Sequence, residues 1–275
     1  MIGQHNLQSR ISALIKFNAY PRFTILVGAP GSGKRTLANE ISKWLQKDEL
    51  ACSFICPDVK VDTIREIISG AYKIGGTNIY IIPDADNMST GAKNALLKVT
   101  EEPPNDAYFI MTLEDENNTL ETIKSRATIF HMDRYTPDEI EEYYRNKFCL
   151  SETTIALERK EISIVRDLCE TPGDVESIMK YDATNFYDYV QLVVDNIKEV
   201  SLANALKISS KIALKDGEEG YDLRLFWKTF IEVCFTRMRI DDVMITSKWL
   251  RKLKVPRVNK LMLFDSWVLD LRNEL

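Results

Sequence analysis

Between Thr24 and Thr36 the chain carries the residues best placed to do chemistry. Thr24-Ile25-Leu26-Val27 is a β-favouring run, Gly28 to Gly33 is a glycine-rich turn, and Lys34, Arg35 and Thr36 lead into a helix-forming segment. Glycines at 28, 31 and 33 permit backbone conformations that turn successive N–H groups inward. A helix N-terminus behind them adds the positive end of its dipole, so the natural occupant is a phosphate. Gly28 to Lys34 satisfies the spacing G-x-x-x-x-G-K, with Lys34 placed to reach the outer phosphates of a nucleotide. Gly28, Gly31, Ser32, Gly33, Lys34, Arg35 and Thr36 are therefore the candidate nucleotide-binding residues, and ATP is the candidate ligand. The residue after the lysine is an arginine, not serine or threonine, and a guanidinium has no lone pair for Mg²⁺. Thr36 follows one place late, turned about 100° around the helix, so its hydroxyl points away from a metal. Bound magnesium is not expected. A glycine-rich turn that no longer binds anything is the alternative left open by these residues.

Size and composition set the frame for that loop. With 275 residues, 45% hydrophobic and 28% charged, the chain has the length for two or three domains and the composition of a globular protein. No run approaches the ~20 apolar residues of a membrane span, and Met1 to Asn6 lacks the layout of a signal peptide, so a cytoplasmic protein without a membrane partner is expected. Five scattered cysteines, Cys52, Cys56, Cys149, Cys169 and Cys234, argue against a disulfide framework. Cys52 and Cys56 read as buried thiols of a strand, not zinc ligands, and no metal-ligand set is expected. A net charge of −5 gives no global attraction to DNA.

The elements that must position the loop alternate. Residues 1–17 read as a polar entry followed by an amphipathic helix, with Leu7, Ile11, Leu14 and Ile15 at helical spacing. Strands are predicted over 23–27, 51–56, 79–82, 108–112 and 127–131, with helices over 36–47, 61–71, 90–102 and 120–124 between them. This alternation implies a mostly parallel sheet with helices on both faces. Asp84 and Asp86 leave the third strand at its carboxyl end, where ligands of open α/β sheets collect. They are also ordinary helix-entering residues. From Thr136 onward the pattern is all helical, with Pro137 at a first helical position, a break at Thr171-Pro172-Gly173 and a loop over 215–220. The segment Trp249 to Lys260 is locally basic with an aromatic, and reads as a solvated helix face before a DNA contact. His5 and His131 share no ligand partner and read as structural.

The stretch Asn94-Ala95-Leu96-Leu97-Lys98-Val99-Thr100-Glu101-Glu102-Pro103-Pro104 resembles the N-A-L-L-K-x-x-E-E-P-P helix of clamp-loader AAA+ subunits, among them the bacterial delta-prime subunit of DNA polymerase III. Ser125-Arg126-Ala127 is similar to that family's Ser-Arg-Cys motif, and Ile2-Gly3-Gln4 to its N-terminal Gly-Gln. The resemblance covers the first ~135 residues by motif, and the rest by helical character alone. It implies a P-loop AAA+ domain with a five-stranded parallel sheet over residues 1–134, a helical lid over 135–182, and an all-α collar over 183–275. It implies partners too: other loader subunits in a hetero-pentamer, a sliding clamp, and primed DNA reached through the complex. Arg126 would be an arginine finger, acting on ATP held by a neighbouring subunit, a role worth about 10³ to 10⁵ in rate. The reading beside it is a surface arginine at the start of a strand.

Departures from the family pattern define the kind of subunit. Pro83 and Asp84 stand where an active member has Asp-Glu, and Glu176, in Pro172-Gly173-Asp174-Val175-Glu176, stands where the lid arginine is expected. The four-cysteine zinc module of some delta-prime proteins is missing. With Arg35 added, these changes make hydrolysis in the chain's own site an unfavourable expectation. The resemblance thus implies a delta-prime-like subunit that completes a neighbour's site. Two alternatives stand beside it: an independent AAA+ ATPase with a metal site shifted to Thr36 and Asp84, and a non-replicative AAA+ switch protein.

Overall fold

In the strands that hold the loop, successive side chains go to opposite faces, and both faces are apolar. The computed structural model describes residues 3–46, 50–72, 76–104, 106–148, 155–213, 221–253 and 259–272. Ile2, the loop over 215–220, the turn over 73–75, Cys149 and residues 254–258 of the basic segment lie outside them. The chain forms two compact units, Met1–Glu139 and Ile140–Leu275.

The first unit runs α1 (His5–Lys16), β1 (Phe23–Val27), α2 (Lys34–Leu45), β2 (Cys52–Ile55), α3 (Val61–Ala71), β3 (Asn78–Ile82), α4 (Thr90–Glu101), β4 (Ala107–Leu113), α5 (Glu121–Lys124) and β5 (Thr128–His131). All five strands are parallel, in the order β2-β3-β4-β1-β5. Phe23, Ile25 and Val27 of β1, Tyr80 and Ile82 of β3, and Phe109, Met111 and Leu113 of β4 pack into one core with Ile64, Leu96 and Val99. Leu26, Ile79, Ile81 and Ile110 face the other way, onto Ile11 of α1 and Leu37 and Ile41 of α2. The two-residue period of the strand thus builds both cores from one sheet. Helix α4 is entered through Ser89, whose hydroxyl accepts from the Ala92 N–H, and ends before Pro103-Pro104.

At the sheet edge, all four residues of β2 are exposed. Cys52 is consequently an exposed thiol, contrary to the expectation of a buried pair, and Cys56 alone is buried. Burial pushes the Cys56 thiol up from its usual range, although its Sγ–H donates to the Asp58 carbonyl.

Helix α6 (Pro137–Phe148) begins at the end of the first unit. The second unit continues with α7 (Ile155–Leu168), α8 (Pro172–Met179), α9 (Ala183–Asn196), α10 (Leu202–Ala213), α11 (Leu223–Thr236), α12 (Ile240–Lys252) and α13 (Lys260–Leu271). Its centre is aromatic: Phe226, Trp227 and Phe230 of α11 meet Phe264 and Trp267 of α13, with Phe230 and Trp267 edge to face at 4.9 Å between centroids. Helix α8 starts in a capping box, with the Thr171 hydroxyl accepting from the Asp174 N–H and the Asp174 carboxylate accepting from the Thr171 N–H. No helix among the described residues is long and apolar enough to cross a membrane.

Candidate functional site

The glycine loop leaves β1 at the point where the strand order reverses, since β4 lies on one side of β1 and β5 on the other. Its first residue is tied to the sheet, the Gly28 N–H donating to the Leu113 carbonyl of β4. Gly31 and Gly33 take positive φ, +75° and +88°, which side-chain-bearing residues avoid. Gly33 is the N-cap of α2, so the orphan N–H groups of that helix open onto the loop. Lys34 is 8% exposed and folds back on the loop, its Nζ donating to the carbonyls of Gly28 at 2.7 Å and Ala29 at 2.9 Å. The Ser32 hydroxyl is buried without a hydrogen-bond partner. It lies 2.9 Å from where a β-carbon on Gly28 would stand, so it is turned into the loop. These groups fit a phosphate: donors converge, and one buried hydroxyl has its capacity unspent.

They do not fit a magnesium ion. Arg35 Nη2 lies 2.7 Å from Asp84 Oδ2, so the residue after the lysine and the carboxylate after β3 are joined directly. Pro83 offers no side-chain ligand, and Thr36 is exposed on α2. Asp84 itself has a positive φ of 50°, and its N–H donates to the buried hydroxyl of Thr112 on β4. Asp86 serves the chain turn, accepting from the N–H groups of Glu114 and Asp115 and from the Asn118 amide. Among the described residues no cluster of His, Cys, Asp or Glu has the arrangement of a metal site.

A second set of contacts reaches the loop from the segment after β5. The amide of Gln4, fully buried, donates to the Asp133 carbonyl and accepts from the Asp133 N–H, both at 2.9 Å. Two residues on, the Tyr135 hydroxyl donates to the Ser32 carbonyl at 2.9 Å. Gly3 makes room for that ring: a β-carbon there would stand 2.7 Å from it. Thr112 and Tyr135 were invisible to sequence reasoning, because neither sits in a motif and both act through one hydrogen bond to a distant backbone.

Arg126 stands at the other end of the sheet. Thr24 pairs with Thr128, Arg126 lies in the turn that leads into β5, and Gly28 follows the end of β1, four residues beyond Thr24. At about 3.3 Å per residue the chain's own glycine loop is about 13 Å beyond the level where β5 begins, at the opposite end of the sheet from the turn that carries Arg126. The guanidinium is exposed, paired with Glu101 at 3.0 Å and donating to the Thr122 carbonyl at 2.8 Å.

In the second unit, the Glu176 carboxylate pairs with Lys147 and accepts from the Tyr143 hydroxyl. The ammonium and the phenol hold its carboxyl below the usual range. Trp249 is buried at 7% exposed, its indole N–H on Asp270 and its ring under Lys252. The aromatic of the basic segment is therefore engaged within the fold and has no face to offer a base.

A glycine loop at the switch point of a five-stranded parallel sheet, followed by a helical region, is the arrangement of the AAA+ fold. Solved structures bear this out: a DNA polymerase III gamma subunit-related protein of Thermotoga maritima superposes with a TM-score of 0.51 at 17% identity, over 96% of this chain and 98% of that one. The Thermotoga maritima RuvB Holliday junction branch migration motor gives 0.52 at 21%, over 84% and 77%. The family model for DNA polymerase III, delta subunit, matches residues 46–136. DNA polymerase III subunit gamma of Buchnera aphidicola is 27% identical over 172 residues, 53% of this chain and 47% of that protein. Subunit delta' of Yersinia pestis is 25% identical over 161 residues, 48% and 44%. The chain thus spans about half the length of these relatives, and over residues 46–136 it resembles clamp-loader subunits.

Proposed function

We propose that the chain is a delta-prime-like subunit of a DNA polymerase clamp loader. In this reading it sits in a hetero-pentameric ring with other loader subunits, and the ring places a sliding clamp on primed DNA in the cytoplasm. The glycine loop holds a nucleotide without hydrolysing it. Arg126 reaches into the ATP site of the adjoining subunit. Residues 135–182 act as the lid and residues 183–275 as the collar that holds the ring.

The observation that carries this reading is the division of labour across the sheet. The exposed guanidinium of Arg126 comes from the turn before β5, at the opposite end of the sheet from its own loop, while Arg35 occupies the carboxylate beside that loop. A cation so placed serves a phosphate held by another chain. The test mixes the chain with candidate loader ATPases and DNA. Arg126→Ala should abolish the stimulated turnover while leaving assembly intact. An independent ATPase would instead need Thr36 and Asp84 to hold a metal, and Lys34-dependent turnover by the isolated chain would favour that reading. A switch protein outside replication would capture neither a clamp nor a loader subunit.

A further inference from the structure

The ion pair between Arg35 and Asp84 is more than a lost metal site. In P-loop proteins a divalent cation is held between the residue after the lysine and a carboxylate at the end of a neighbouring strand, and it neutralises the β- and γ-phosphates. Here the first of those places carries a permanent positive charge of its own. The Arg35 side chain is 65% exposed and that of Asp84 57%, so the pair is solvent-screened and readily exchanged for a stronger partner. A phosphate is such a partner, since a guanidinium donates to two of its oxygens through two parallel N–H groups. Lys34 stands beside it, already held on the loop carbonyls, and the buried Ser32 hydroxyl is turned toward Gly28 with no partner.

We propose that the loop binds the polyphosphate of a nucleotide independently of divalent cations, with the Arg35 guanidinium leaving Asp84 to supply the charge that a metal supplies elsewhere. This rests on the reading of the glycine loop as a phosphate site, and is independent of Arg126. It gives the subunit a nucleotide that cannot be hydrolysed in place. Asp84 remains as the resting partner of Arg35, and its removal makes the guanidinium more available.

The experiment titrates the full chain with ATP, ADP and pyrophosphate by calorimetry, in magnesium and in EDTA. ATP affinity should agree within about threefold between the two conditions. Arg35→Ala should weaken binding in EDTA about ten- to hundredfold, the size of a charge-assisted contact. Arg35→Thr should make binding rise with magnesium, since a hydroxyl now faces a free carboxylate. Asp84→Asn should bind in EDTA at least as tightly as the parent. Circular dichroism confirms folding, and both side chains are exposed. Loss of affinity beyond about tenfold on chelation, or wild-type affinity in Arg35→Ala, overturns the inference and leaves the loop a phosphate site. Absence of binding in both conditions overturns the phosphate site as well, and neither result touches the Arg126 assay.

Discussion

Glu101, the last residue of α4, lies 3.0 Å from the guanidinium of Arg126, so the two motifs that resemble clamp-loader subunits meet in a single ion pair. The same guanidinium donates to the Thr122 carbonyl one turn back. The arginine is therefore laid along its own surface in the isolated chain, and in the role proposed for it the guanidinium would have to leave Glu101. Glu101→Gln should release it. Because both side chains are more than a third exposed, the pair is worth at most ~1 kcal/mol, and release should raise stimulated turnover about two- to fivefold. The melting temperature should fall by no more than about 5 °C. A drop in stimulation would show that Glu101 aims the arginine and does not restrain it.

Gly3 has φ +76°, and its missing side chain is where the Tyr135 ring passes. Gly3→Ala should destabilise the first unit by about 1–3 kcal/mol, through backbone strain and displacement of the ring. Tyr135→Phe removes the hydroxyl that bonds Ser32 and should cost about 0.5–1.5 kcal/mol. Denaturant melts of the two variants rank them. Equal values would mean that the hydroxyl, and not the packing of the ring, is what the glycine protects.

Most of the first unit could be read from its residues, because its signals are local. Five β-favouring residues before Gly28 give β1, Ser89 and the proline pair bracket α4, and strand–helix alternation gives a parallel sheet. What escaped is non-local. Thr112 acts on Asp84 across 28 residues, Tyr135 on Ser32 across 103, and Gln4 on Asp133 across 129. No periodicity encodes such partners. Cys52 was misjudged for a related reason: its run is apolar enough for a central strand, but β2 is an edge, and strand order decides that. The Arg35–Asp84 pair was half visible. Arg35 is wrong for a metal by residue type alone, yet only the order β2-β3-β4-β1-β5 brings the end of β3 within its reach.

Acid should reveal a second local device at the start of α3. The Asp58 carboxylate accepts from the Thr63 hydroxyl at 2.6 Å and from the Lys60 N–H at 3.1 Å, and these bonds, with the Lys60 ammonium, lower its pKa to about 2. An unfolded aspartate titrates near 3.9. A depressed folded value means stabilisation that is complete above about pH 4 and is lost as pH falls through about 2. The parent chain should exceed Asp58→Asn in stability at neutral pH, and the two should converge across that window. Melts at stepped pH decide it, and a constant difference down to about pH 2 would exclude the carboxylate charge as the source.

The strongest single-residue effect is expected in the second unit, at Asp174. Its carboxylate closes the capping box of α8 and lies 3.2 Å from Arg224 Nη2 and 3.8 Å from Lys228 Nζ, while its side chain is 8% exposed. Losing a cap costs about 1 kcal/mol, and stripping the partner from a mostly buried cation costs more. Arg224 and Lys228 keep some solvent at 25% and 18% exposed, which holds the total for Asp174→Ala to about 2–4 kcal/mol. Adding Arg224→Met should restore part of that loss, because the uncompensated charge goes with it. Hydrogen exchange is the measurement to use. Protection should fall at the start of α8 and along α11 in the single variant and recover along α11 in the double. Full additivity of the two substitutions would mean that Asp174 acts as a helix cap alone and that the cations beside it are indifferent to its charge.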